Sequence, residues 1–203
     1  MLEVLVVAAC LAILVVLLIP ALSSARRKAN RISCVSNLMQ IAIGHKIWGG
    51  DHAKNYPEQV SRTNGGVQEL AFSGDTTAIF HSLSNEIGSP KVLICPADSK
   101  RFAATNFTTD LKGKISYFVN VDAADKYPQM ILAGDDNFEI GGVPVKSGLL
   151  EISSNTPVAW TAARHRRAGN LALADGSVAE LTNPGLTNSI RTSGQATNRF
   201  AIP

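Results

Sequence analysis

The first 22 residues, MLEVLVVAACLAILVVLLIPAL, are apolar at every position except Glu3, and no other feature restricts the chain so tightly. A helix that is apolar on all sides cannot be a surface helix of a water-soluble domain, so it must be covered by lipid or by other protein. As a helix the run is about 33 Å long, against a bilayer core of about 30 Å. A membrane span over 1–22 is therefore expected. A cleaved signal peptide fits less well, because Lys and Arg are missing from the first residues and no small-residue cleavage site follows. Glu3 is the exception that needs a reason, since a carboxylate inside an apolar bundle costs a few kcal/mol unless it finds a partner. The nearest cation is an α-amino group, that of Met1 or of a neighbouring copy. Pairing with a neighbour's N-terminus would neutralise both charges and fix the register between subunits.

Beyond Pro20, which removes a backbone donor and loosens a helix locally, the helical pattern continues. Ile32, Val35, Met39, Ile43 and Ile47 recur at spacings of three and four, the stripe of an amphipathic helix that ends near Gly49-Gly50. This predicts one helix over 1–50, about 75 Å long, with 1–22 as its apolar part and the stripe of 23–50 packed on a globular domain over 51–203.

Past residue 50 the segments are short and separated by turn formers. The spacing predicts a helix over Thr76–Ile87 and strands at Val92–Cys95, Ile115–Val121, Met130–Leu132, Leu149–Ile152 and Val158–Thr161. Asn170–Ala174 and Ser177–Leu181 flank Asp175-Gly176, a two-residue hairpin signal, and a short helix is expected near Leu186–Arg191. The fold class is thus α+β, a long N-terminal helix on a small antiparallel sheet. The net charge of +3, from 19 basic and 16 acidic side chains, owes much to Arg26, Arg27, Lys28 and Arg31. The remainder is near neutral, so no nucleic-acid surface is implied.

The run Leu2-Glu3-Val4-Leu5-Val6-Val7, the apolar stretch after it and Pro20 together resemble the N-terminus of type IV pilins and type II secretion pseudopilins. Arg31-Ile-Ser-Cys34-Val-Ser-Asn-Leu and the late His165-Arg-Arg-Ala-Gly-Asn170 leading to Asp175-Gly176 resemble pseudopilin-like proteins with an enlarged head. The resemblance implies a structural subunit that polymerises into an extracellular filament, with Glu3, Met1 and Pro20 as assembly residues. It also implies a prepilin peptidase and assembly machinery as partners, and an inner-membrane single-pass stage with the head in the periplasm or outside the cell. The basic cluster at Arg26–Arg31 would by itself place that flank in the cytoplasm; the family topology is the reverse. In the family the glutamate and proline each lie about two residues further along, which implies about two residues and a basic leader ahead of Met1 and leaves N-methylation of Met1 open. The alternatives are a secretion pseudopilin and a membrane-tethered extracellular binding module.

Cys34 and Cys95 are expected to pair. The disulfide would close a loop of about 60 residues and contribute roughly 4 kcal/mol in an oxidising compartment; the alternative is two buried thiols. The spacing of the cysteines fits no Cys/His metal pattern. Asp135, Asp136 and Asn137, with Asp122 and Asp125 nearby, offer oxygen ligands of the kind calcium takes, although an ordinary turn explains them as well. His165 among Arg164, Arg166 and Arg167 suits an anion, or a solvated loop. Ser/His/Asp arrangements, phosphate loops and HExxH are missing, so neither catalysis nor an organic cofactor is expected.

Overall fold

The computed structural model describes residues 2–203, together with the side chains of Glu3, Val4, Val6, Val7, Leu11 and every residue from Ile13 onward; Met1, expected to take part in assembly, lies outside the described residues. Helix α1 (Leu2–Asp51) is continuous through Pro20, whose carbonyl accepts a hydrogen bond from Ser23 Oγ at 2.9 Å. The single chain therefore keeps the helix intact at the position where loosening was expected. The helix ends where Ala53 and Lys54 adopt positive φ and Lys54 N returns to the Gly49 carbonyl at 2.8 Å, which satisfies one of the open carbonyls of the last turn.

Short helices α2 (Gln68–Ala71), α3 (Thr76–Ser82) and α4 (Ser84–Ile87) follow. Asp75 caps α3 by accepting from Ala78 N. The single helix expected over Thr76–Ile87 is interrupted at Leu83, which leaves helical geometry at φ −95° and ψ 11°. The strand expected at Val92–Cys95 is instead a 3-10 turn over Pro90–Leu93, since proline fixes φ at its first position and lacks the donor that a ladder needs.

The remaining elements are β1 (Tyr117–Asn120), β2 (Ile131–Asp135), β3 (Phe138–Ile140), β4 (Val143–Pro144), β5 (Gly148–Ser153), β6 (Val158–Trp160), β7 (Ala168–Leu173), β8 (Val178–Thr182), α5 (Asn183–Arg191) and β9 (Thr197–Ile202). An antiparallel sheet has the order β5-β9-β1-β2-β7-β8, and a small one the order β4-β3-β6. The β7–β8 hairpin falls where Asp175-Gly176 places it. Its turn is wider than the two-residue type: Gly176, in the left-handed region, donates to the Leu173 carbonyl at 2.9 Å.

Side chains alternate across the main sheet, so it has two cores. Tyr117, Val119, Leu132 and Ala172 face α1 and the short helices, whereas Phe118, Leu171 and Phe200 face α5 and the small sheet around Phe138 and Trp160. A register shift between Ile131 and Ala133 re-phases β2 ahead of the site at its end.

Two expectations about α1 are corrected. Four of the five residues of the stripe assigned to the domain face away from it: Ile32, Met39, Ile43 and Ile47 are 44–61% exposed and Val35 is half-buried, whereas the buried face is Cys34, Leu38, Ile41, Ala42, His45 and Trp48. Both faces repeat at helical spacing, so periodicity alone does not choose between them. Small residues decide, since Gly44 lets Ile87 of α4 approach to 3.0 Å of where a Cβ would stand. The second correction is the inner-membrane single-pass anchor. Among the described residues no helix is long and apolar enough to cross a membrane. The unbroken described apolar run, Ile13–Leu22, makes only about 15 Å of helix before Ser23, Ser24 and the basic residues Arg26 to Lys28.

Candidate functional site

Four side chains from four distant segments meet under α1. Cys34 comes from the middle of the buried face of α1, and Cys95 from the loop just after the Pro90–Leu93 turn. Asp135 is the last residue of β2, and His165 lies in the loop before β7. The chain reaches His165 through a strained segment, because His165, Arg166 and Arg167 all have positive φ, at 49°, 56° and 61°. Three successive non-glycine residues in that region are costly and persist only where the surroundings impose them. Arg31 of α1 helps to do so, donating from Nη2 to the His165 carbonyl at 2.8 Å and from Nη1 to Glu180 at 2.6 Å.

Sγ of Cys34 donates to Asp135 Oδ1 at 3.2 Å and stands 3.3 Å from the Tyr117 hydroxyl. Sγ of Cys95 is 3.2 Å from His165 Nε2, which in turn is 3.7 Å from Asp135 Oδ2. Asp135 Oδ2 is held from behind by Asn170, whose backbone N and Nδ2 donate at 2.8 and 2.9 Å. Tyr117 and Asp135 are register partners on β1 and β2, so the sheet fixes the floor of the site and α1 its roof. Cys34, Cys95 and Asp135 are all wholly buried. The two expected disulfide partners are thus brought together, but as free thiols.

The two thiols are unlike. The Cys95 thiol is pushed down by the neighbouring Cys34 and, against burial, by its contact with His165. The Cys34 thiol is pushed far up by the neighbouring Cys95, by burial and by the Asp135 charge. Burial works against charge on His165, but its contact with Cys95 and the nearby Asp135 raise its pKa above the usual imidazole value.

The calcium reading of Asp135, Asp136 and Asn137 is not supported. Successive residues point to opposite sides of an extended chain; Asp135 turns toward the cysteines, and Asp136 pairs with Arg164 and with Arg101, the latter at 2.6 Å. Arg164 also lies 3.7 Å from Asp98 and donates to the Ser116 carbonyl. Asp122 is paired with Arg199, and Asp125 with Lys46. Asp136, Asp122 and Asp125 are thus each already paired with a cation. The Arg cluster near His165 divides in the same way. Arg164 and His165 turn inward, and Arg166 and Arg167 line an open groove of about 620 Å³ with Arg27, Lys28 and Arg31.

Glu3 and the apolar residues Ile13–Leu22 are exposed on the part of α1 that extends from the globular domain. Comparison of the chain with models of known protein families, with curated proteins and with solved structures finds no match. Function is accordingly argued from the residues themselves. Sequence reasoning singled out Cys34, Cys95, Asp135 and His165 for separate reasons and missed that they form one cluster, because no two of them are close in the chain.

Proposed function

We propose that this chain is the subunit of a helical filament of the type IV pilin kind, assembled through α1. The observation that supports the reading is the uncovered apolar surface of that helix. Val4, Val6, Val7, Leu11 and Ile13–Ile19 are each at least 55% exposed, and the stripe of Ile32, Met39, Ile43 and Ile47 carries apolar surface along the outer half, on the side away from the globular domain. Contiguous exposed apolar surface of this extent marks an interaction site. A second copy of the same helix supplies a matching surface, because ridges at spacings of three and four pack into equivalent grooves on a neighbour at 8–10 Å between axes. Repeating one such contact with a constant offset gives an open helical array, the usual outcome of a head-to-tail interface that does not close. In that array Glu3 meets a neighbouring N-terminus and the sheet domain lies outermost.

Negative-stain electron microscopy of the full chain, with Glu3→Ala and Ile43→Glu/Ile47→Glu beside it, tests the proposal. Filaments from the native chain that both variants lose are the expected result. A native chain that stays monomeric in mild detergent and after detergent removal would overturn it.

A further inference from the structure

We propose that Cys34, Cys95, Asp135 and His165 bind a zinc ion that pins α1 to the sheet domain. Among the described residues this is the one group of metal-ligating side chains brought within 4.8 Å of one another, one donor atom from each. The donor set is two sulfurs, one imidazole nitrogen and one carboxylate oxygen, which suits a borderline-soft, tetrahedral ion. Two edges of the set lie close to that geometry. Zinc bonds of 2.0–2.3 Å put the corners of a tetrahedron about 3.3–3.8 Å apart; Cys34 Sγ to Asp135 Oδ1 and Cys95 Sγ to His165 Nε2 are both 3.2 Å, just short of that edge.

The surroundings are those a metal ligand set needs. Asn170 occupies the far oxygen of Asp135 and leaves Oδ1 to the site, and Tyr117 reaches the Cys34 sulfur, an outer shell that orients the ligands. On binding, the two thiols release their protons to solvent and bind as thiolates, and His165 binds through Nε2 as neutral imidazole. Two thiolates and a carboxylate around one Zn²⁺ leave a single negative charge, which Arg164 Nη1, 4.0 Å from Asp135 Oδ1, faces directly. Four protein ligands fill the coordination sphere, so the ion is structural and activates no water. The strained backbone at His165–Arg167 fits this role, since it turns the imidazole inward from a loop.

The zinc site does not depend on the filament reading, and the two are measured separately, one by metal content and the other by microscopy. The test takes the full chain in detergent, isolated without added reductant or chelator. Native mass spectrometry is expected to show one zinc per chain. A strong chelator should lower the melting midpoint by several degrees, and added Zn²⁺ should restore it. Cobalt should substitute and give thiolate charge-transfer absorption that Cys95→Ser loses, and His165→Ala should weaken zinc binding at least tenfold. The native-chain measurements stand even where a variant fails to fold. A Cys34–Cys95 disulfide in the freshly isolated chain, seen as an intact mass lower by two hydrogens with no metal, would overturn the proposal. So would a midpoint indifferent to both chelator and zinc, or zinc retained at full strength by the Cys34→Ser/Cys95→Ser double variant.

Discussion

His45 Nε2 lies 3.7 Å from Glu58 Oε2, and both side chains are wholly buried where α1 meets the turn at Pro57–Gln59. Among the described residues neither Nε2 nor the Glu58 carboxylate oxygens find a hydrogen-bond partner, so the pair is held neutral by its surroundings. Burial pushes His45 down to about 4 and Glu58 up to about 8.

The pH dependence follows from those two shifts. Between about pH 4.5 and 8 the unfolded chain releases the Glu58 proton while the folded chain keeps it, so stability falls as pH rises. For His45 the unfolded chain holds the proton between about pH 4 and 6.5, so stability rises with pH there. The two slopes oppose each other up to about 6.5, and only the Glu58 loss remains from there to 8. Urea unfolding at pH 6.5 and 8 should show the native chain losing about 1–2 kcal/mol relative to Glu58→Gln, at up to about 1.4 kcal/mol per pH unit. Parallel curves for the two proteins would mean that Glu58 titrates normally.

Arg164 is held between Asp136 and Asp98 in the buried interior. Truncation to Ala leaves two carboxylates facing one remaining guanidinium, that of Arg101, and should cost about 3–5 kcal/mol. Arg164→Lys should recover little, because an ammonium cannot reach Asp136 and the Ser116 carbonyl with the same fork. Denaturant midpoints decide, and a full rescue by Lys would show that charge alone matters.

The two faces of α1 predict opposite behaviour. Leu38→Ala, on the buried face, should destabilise by about 2–5 kcal/mol. Ile43→Glu, on the outward stripe, should change stability by no more than about 0.5 kcal/mol while preventing assembly. A melt and a sedimentation run on each variant separate the effects; a strongly destabilised Ile43→Glu would mean that the stripe packs on its own domain.

Gly134 sits on β2 just before Asp135, and a Cβ there would stand 2.4 Å from Leu171 and 2.8 Å from the Phe118 ring. Gly134→Ala should therefore cost about 1–3 kcal/mol through overpacking. If the proposed ion is present, the same shift should also displace Asp135 and weaken zinc binding. Unfolding and metal titration read the two effects, and an unchanged midpoint would show that the second core yields.

Elements carried by local pattern were legible in the sequence. The long helix is written in an apolar run that passes into apolar residues at spacings of three and four, and the β7–β8 hairpin in Asp175-Gly176 between apolar stretches. Val92–Cys95 misled because its apolar run resembles a strand while Pro90 sets a turn. Strand β9 went unread, since Thr197–Ile202 mixes polar and apolar residues without clean alternation and owes its pairing to β1 and β5.

By itself the sequence determined that a long helix with far more apolar surface than one small domain can cover would precede an α+β domain, because helix period and turn chemistry act between residues a few positions apart. Only the tertiary structure decided which stripe of that helix turns inward and that Cys34, Cys95, Asp135 and His165 converge. Those outcomes depend on how closely α1 approaches α4 at Gly44 and on the register that sets Tyr117 opposite Asp135. Such contacts join residues remote in the chain, and no local spacing records them.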